Sequence, residues 1–301
     1  MKVLIVGSEG FIGKYCVHHF LSLNHETHGT DIFDLSQPIY HYTKKTTDID
    51  FYANLLAVEF DVVINCAGNG SVPISIENPV LDFELNCYET IKILDAIKTR
   101  SSQTKYIHLS SAAVYGNPTV IPLKENSPLN PISPYGYHKM IAEHICLEYV
   151  HSFNCNISII RPFSVYGPGL RKQLFWDWYL KIINTPNGIE LIGTGNESRD
   201  FVFIDDLILA IDVIIQKASF LGEVYNIASG TEMFVKECAE LFFKFPNRQY
   251  EYRFNGYRRE GDPVNWKADI SKLEALGFEP QYSLGAGIEK LQRWFLVLPN
   301  I

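Results

Sequence analysis

An apolar stretch, Lys2 to Val6, runs directly into Gly7-Ser8-Glu9-Gly10-Phe11-Ile12-Gly13 and from there into an amphipathic segment, Phe11 to Leu23. Few architectures use that succession. Three glycines at a spacing of three are needed where a side chain would block a tight turn, the approach of backbone to a diphosphate, or the packing of helix on strand. An ordinary turn can also carry glycines, but the strand, turn and helix context points to the first βα unit of a dinucleotide-binding sheet. Gly7, Gly10, Phe11, Ile12 and Gly13 are therefore candidate cofactor residues.

The same alternation continues downstream. Strands are expected at Lys2 to Val6, Glu26 to Asp31, Val62 to Cys66, Lys105 to Ser110 and Ile157 to Arg161, with helices at Phe11 to Leu23, Pro79 to Thr99 and Pro134 to Val150. Ser133 and Pro134 supply the start of the last helix, as a capping hydroxyl followed by a pre-set φ. Short apolar runs alternating with longer amphipathic ones imply βαβ units and a parallel sheet, that is, a doubly wound Rossmann domain over residues 1–167. Beyond it, glycine, proline and aromatic residues crowd together. Residues 168–200 and 229–301 are expected to form a smaller C-terminal α/β substrate region. Residues 201–228 return to the main sheet through a helix at Phe201 to Ala218 and a strand at Val224 to Ala228.

Twenty-six basic against 34 acidic residues leave a net charge of −8, a field that repels nucleic acid and anionic membrane. An anionic substrate would then need local cations. No apolar run reaches the roughly 18 residues of a membrane span; Leu207 to Ile215 is interrupted by Asp212. With no leader-type start and six scattered cysteines, the expectation is a cytoplasmic protein with reduced core thiols.

Asp31 stands 18 residues after Gly13 at the end of the second strand, where an acid can accept both hydroxyls of an adenosine ribose and repel a 2′-phosphate. That favours NAD, with NADP as the alternative; a turn aspartate is the plainer reading. Asp48 and Ile49 are candidates for the adenine side, or a simple helix cap. Tyr135 and Lys139 are four apart on one helix face, and an ammonium near a phenol stabilises the phenolate. Ser110-Ser111 follow a strand, at the carboxyl edge where open α/β sheets bind ligands.

Taken together, the glycine motif, Ser110-Ser111-Ala112-Ala113-Val114-Tyr115-Gly116, Ser133-Pro134-Tyr135-Gly136-Tyr137-His138-Lys139, Arg161-Pro162-Phe163-Ser164-Val165-Tyr166-Gly167-Pro168 and Arg199-Asp200-Phe201-Val202-Phe203-Ile204-Asp205-Asp206 resemble the extended short-chain dehydrogenase/reductases, and among them the NAD-dependent epimerase/dehydratase family acting on nucleotide sugars. The resemblance implies Ser111, Tyr135 and Lys139 as the catalytic set, and Ala67 and Pro162 beside the cofactor. It implies Asn86, Ser164, Arg199, Arg259 and Asp262 on the substrate side, with Asn86 bracing the active-site strand and the two arginines gripping a diphosphate. It also implies a homodimer built on the helices around Asn86 to Thr99 and Pro134 to Val150.

Four positions depart from the family pattern. Glu9 introduces a carboxylate into the glycine loop, Ser164 replaces a common asparagine, and Ala112 and Ala113 stand where sugar 4,6-dehydratases carry an acidic pair. Without that acid, elimination at C6 has no proton donor. The nine histidines include no H-E-x-x-H, and His138 and His144 do not share a helix face, so no metal is expected. The Trp176 to Tyr179 run is read as a core patch rather than a platform for a base.

The reaction expected is epimerisation of a nucleoside-diphosphate sugar by transient oxidation at C4 with NAD. The alternative is an NAD(P)H-dependent 4-ketoreductase or dehydrogenase. A dehydratase and a non-catalytic nucleotide sensor stand behind both.

Overall fold

A computed structural model describes residues 1–100, 103–185, 188–244, 250–257 and 263–298. Its first half lays down β1 (Lys2–Val6), α1 (Phe11–Ser22), β2 (Glu26–Asp31), β3 (His41–Lys44), α2 (Phe51–Leu55), β4 (Val62–Asn65), α3 (Val72–Glu77), α4 (Pro79–Phe83), α5 (Glu89–Arg100), β5 (Lys105–Leu109), α6 (Pro134–Phe153) and β6 (Asn156–Pro162). The second half adds β7 (Ser164–Tyr166), α7 (Gln173–Asn184), β8 (Ile189–Leu191), β9 (Ser198–Phe203), α8 (Ile204–Lys217), β10 (Leu221–Ile227), β11 (Glu232–Phe234), α9 (Val235–Phe242), β12 (Tyr252–Phe254), α10 (Ser271–Glu274) and α11 (Leu284–Leu296).

Seven of these strands form one parallel sheet in the order β10-β6-β5-β4-β1-β2-β3. Chain direction across the sheet reverses between β1 and β4, so the loops leaving those two strands diverge and open a crevice at their carboxyl ends. The central strands are buried on both faces, as their unbroken Val/Leu/Ile composition requires. Two small sheets flank the crevice: β7-β9-β11, and β8 paired with β12.

One hydrophobic cluster runs from Val3 and Ile5 of β1 through α8 to Phe175 and Trp178 of α7 and Phe295 of α11. A second packs α2, α5 and α6 against the opposite face of the sheet. Trp178 is buried against Phe242 and Phe243, and Tyr179 stacks on Phe295 at 4.1 Å. The aromatic run is thus core, as expected from its sequence.

Several elements differ from the sequence expectation. The strand β3 was not foreseen, because His41-Tyr42-Thr43-Lys44 is a largely exposed edge with no apolar alternation. Phe201-Val202-Phe203 end a strand rather than begin a helix; α8 starts at Ile204, with Asp205 and Asp206 in its first turn, where carboxylates suit the helix dipole. Between α4 and α5, Glu84–Tyr88 forms a π turn inside what the sequence presents as one helix. All six cysteines are free, and five of them are buried. No described helix is long and apolar enough to cross a membrane.

Candidate active site

At the crevice, β1 turns sharply at Gly7, whose φ of +79° suits only glycine and whose Cβ would lie 2.7 Å from the Ala67 amide nitrogen. A Cβ on Gly13 would lie 2.0 Å from the Gly7 carbonyl oxygen, so α1 can pack against the turn only without one. Gly10 caps α1 with no side chain, and no acid stands in the first turn. The free N–H groups of that turn therefore remain available to an anion. Gly10, Phe11 and Ile12 line a cavity of about 800 Å³; Gly7 and Gly13 shape the turn behind it.

At the end of β2, Asp31 accepts the Glu9 N–H through Oδ2 at 2.9 Å and the Ile32 N–H through Oδ1 at 2.7 Å. Each oxygen retains lone-pair capacity for a ribose hydroxyl. The extra carboxylate of Glu9 does not face the main cavity. It accepts the Tyr40 hydroxyl at 2.6 Å, pairs with Lys14 at 3.2 Å, and lines a separate smaller pocket of about 400 Å³. Asp48 and Ile49 are not brought to the cavity: Asp48 accepts the Asp50 N–H in an exposed turn, and the Ile49 side chain is solvent-facing. The edge strand β3, unread in the sequence, carries the chain past the site before reaching them.

The Ser-Tyr-Lys set lies on one wall of the cavity. Ser111 caps the turn after β5, accepting the Ala113 N–H at 3.1 Å, and its side chain hydrogen-bonds the Tyr135 phenol. Ser133 holds the start of α6 by accepting the Gly136 N–H at 3.2 Å. One turn later Lys139, only 5% exposed, places Nζ 6.0 Å from the centre of the Tyr135 ring and donates to the Leu109 carbonyl at 2.8 Å. The electrostatics correct the sequence reading. Burial pushes the Tyr135 phenol up, the Ser111 bond opposes this, and the nearby Asp82 charge adds to it. Burial likewise draws Lys139 down to about 8. In the chain alone the ammonium is engaged with a carbonyl, and it does not bring the phenol below its ordinary value.

Behind this wall lies a buried polar network. Arg161 forks onto Glu143 at 2.8 and 2.6 Å and donates to the Tyr115 hydroxyl at 2.8 Å, while Ser110 donates to Glu143 at 2.5 Å. Tyr115 in turn donates to Asn226 on β10 at 2.7 Å. The network joins β5, β6, α6 and β10 under the Ser111 loop.

Pro162, Ser164 and Arg199 also line the cavity, as does Ala67 beside the glycine loop. Arg199 donates to the Ser198 and Val264 carbonyls at 2.8 and 3.1 Å and lies 5.8 Å from the centre of the Trp266 ring. Arg259 and Asp262 lie outside the described residues. Asn86 does not line the cavity. It is buried in the π turn, donates to Asp82, and sets Oδ1 2.5 Å from where a Cβ on Gly68 would be. It thus lies beneath the cavity loop, as a brace and not as a substrate contact.

Sequence reasoning missed two groupings. Asp82, fully buried, joins His138 to Asn69 and Asn86 just below the site. Its partners lie up to 56 residues away, and the only local hint is the one-turn spacing of Asp82 and Asn86. Among the described residues, Glu26, His28 and His41 bring potential metal-ligand atoms within 4.8 Å of one another. His28 and His41 are register partners on β2 and β3, a relation the polar, exposed sequence of β3 does not announce. The Lys2 ammonium already holds that carboxylate at 3.0 Å.

Against known proteins, the sequence profile of the NAD-dependent epimerase/dehydratase family matches residues 3–228. A UDP-glucose 4-epimerase of Mycolicibacterium smegmatis is 27% identical, with 98% of this chain and 98% of that protein aligned. A GDP-6-deoxy-D-mannose reductase of Pseudomonas aeruginosa is 25% identical, over 91% and 94%. The crystal structure of a Bacillus cereus UDP-glucuronic acid 4-epimerase with UDP-glucuronic acid and NAD superposes with a TM-score of 0.88 at 27% identity, covering 98% of this chain and 99% of the other.

Proposed function

The chain belongs to the NAD-dependent epimerase/dehydratase family, and from that premise we propose that it interconverts C4 epimers of a nucleoside-diphosphate sugar through Ser111, Tyr135 and Lys139. The observation that carries this reading is that the three side chains share one cavity with the open N-terminus of α1. The glycine loop, the uncapped first turn and Asp31 fit a dinucleotide, whose diphosphate would lie at Gly10 to Ile12 and whose adenosine ribose would lie at Asp31. NAD supplies the acceptor and donor of hydride at the sugar carbon.

The chain's own residues move the proton and hold the geometry. Tyr135 accepts the proton of the C4 hydroxyl while hydride leaves C4, giving a keto-sugar. Ser111 hydrogen-bonds the reacting oxygen in both directions. Lys139, tied to the end of β5, holds the nicotinamide ribose, and the positively charged ring beside it favours the phenolate that burial alone disfavours. Arg199, with Arg259 and Asp262, is the nucleotide-diphosphate side, on a substrate region of residues 168–200 and 229–301. Return of hydride to the other face of the keto-sugar, with Tyr135 giving its proton back, completes the epimerisation.

A second reading is reduction of a 4-keto sugar, favoured by the likeness to the GDP-6-deoxy-D-mannose reductase. Dehydration is disfavoured at these two positions: Ala112 is fully buried, and Ala113 presents a methyl group to the cavity where an acid would be needed.

We also propose a homodimer through the α4–α5 and α6 faces. Val80, Phe83, Tyr88, Tyr137 and Ile141 are exposed there in excess of what one buried stripe requires. Sedimentation at micromolar concentration is expected to give twice the chain mass; a monomer would refute the dimer.

The deciding experiment releases the nucleotide held by the purified protein and then supplies UDP-, dTDP-, GDP- and CDP-sugars, with products followed by NMR. Bound NAD and interconversion of two C4 epimers without net absorbance change at 340 nm is the expected result. NADH or NADPH consumption only on addition of a 4-keto sugar would establish the reductase instead.

A further inference from the structure

Directly under the reacting pair, Asp82 on α4 accepts three side-chain donors. His138 Nδ1–H donates to Oδ2 at 2.5 Å, and the amides of Asn69 and Asn86 donate to Oδ1 at 2.6 and 3.1 Å. Each donor belongs to a different part of the site. His138 lies on α6 between Tyr135 and Lys139. Asn69 belongs to the cavity loop, where it also brackets Ser71, accepting its N–H at 3.0 Å and donating to its carbonyl at 2.9 Å. Asn86 lies in the π turn beneath Gly68.

The loop continues into α3, whose buried Ser75 accepts the backbone N–H of Tyr135 at 3.1 Å. The cavity loop and α6 are thus joined twice, at Ser75 and through Asp82. The carboxylate is fully buried and the His138 side chain only 13% exposed, so little water competes for these bonds. A buried carboxylate that loses a donor keeps its desolvation cost, and the groups around it then shift to find another.

We propose that Asp82 and His138 are positioning residues, a buried acid–imidazole latch that holds the cavity loop of residues 67–71 in register with Tyr135 and Lys139. The proposal rests on the reading of those two residues as the reacting pair. Neither latch residue touches the reacting atoms. The latch fixes where the sugar-facing loop lies relative to the phenol, and displacement of such a wall by about 1 Å can cost up to about 10²-fold in rate.

The test compares His138→Ala with His138→Asn in the NAD-loaded enzyme, using UDP-glucose or whichever of the sugars above turns over. Asparagine can present an amide N–H near the position of Nδ1–H, whereas alanine cannot. The expected result is a fall in kcat of about 10-fold or more for His138→Ala. KM should change less than threefold, amide exchange over residues 69–75 should quicken, and His138→Asn should recover most of the rate. If His138→Ala fails to retain NAD, His138→Ser takes its place with the same expectation. A kcat within twofold of the unmutated enzyme overturns the proposal, as does a His138→Asn variant as impaired as His138→Ala. Tyr135→Phe, run in parallel, separates the two readings: if it is active, the reaction assignment fails, and if it is inactive while His138→Ala is normal, only the latch fails.

Discussion

Lys139 reaches from α6 to the carbonyl of Leu109 at 2.8 Å, so the ammonium is anchored to the strand end from which Ser111 projects. One buried charge therefore ties the helix carrying the phenol to the loop carrying the hydroxyl. The cost of that burial has a measurable pH signature.

Burial lowers the Lys139 pKa from the ordinary 10.5 to about 8, with the Asp82 charge opposing the shift. The unfolded chain therefore binds the proton more tightly than the folded one between those values. Stability of the cofactor-free protein should be greatest above pH 10.5 as far as this group is concerned, and should be lost as pH falls to about 8. Lys139→Met removes the dependence. The difference in unfolding free energy between the two proteins should change by up to about 3 kcal/mol across that window, an upper bound from the size of the shift. Parallel denaturation curves at each pH, with a constant difference, would contradict it.

Tyr135→Phe removes the phenol that hydrogen-bonds the Ser111 side chain and leaves the ring in place. Turnover should fall by about 10²-fold or more, the usual scale of general acid–base catalysis. Bound NAD and the melting temperature should stay close to those of the unmutated protein. Near-normal turnover in a folded variant would show that another group moves the proton.

The fork of Arg161 on Glu143 is buried and shares its acceptor with Ser110. Removing one partner strands the other charge, so Glu143→Gln and Arg161→Met should each destabilise the fold by about 3–5 kcal/mol. The double variant should be milder than the sum of the two, because no charge is left alone. Urea unfolding of the three variants measures this directly, and strict additivity would count against a coupled pair.

Asp31 serves both the glycine loop and the proposed ribose contact. Asp31→Ala should weaken NAD binding about 10-fold or more, on the scale of one charged hydrogen bond, and should narrow the preference over NADP. Calorimetry with both cofactors reads both effects. An unmutated protein that binds the two equally would show that Asp31 does not read the ribose.

The parts of the fold that were legible in the sequence are those where local chemistry and final packing agree. The glycine loop, the Ser133-Pro134 helix start and the apolar runs of β1, β4 and β5 each have one physical solution in a parallel sheet. The strand β3 was not legible because its residues face water and carry no alternation. The run Phe201 to Phe203 was misread because a short apolar stretch looks alike in strand and helix, and here it continues directly into one. The spacing of Tyr135 and Lys139 is legible, but their electrostatics come first from burial and then from groups such as Asp82, which lies 53 residues before Tyr135 and reaches the site only through packing. Asp48 and Ile49 precede the short α2, and the structure shows the plainer reading, an exposed turn in which Asp48 accepts the Asp50 N–H and Ile49 faces solvent.

The π turn at Glu84–Tyr88 sets a constraint on length that no side chain expresses. A π turn is one residue more than the α-helix around it needs, and each residue of an α-helix advances its direction by about 100°. Upstream of the extra residue the helix aims Asp82 at the latch, within it Asn86 reaches under Gly68, and downstream Ile93, Leu94 and Ile97 face the core. Deleting any single residue between 84 and 88 would straighten the helix and swing one of these groups a quarter-turn out of place. A chain one residue shorter there could keep its cavity floor or its core, but not both.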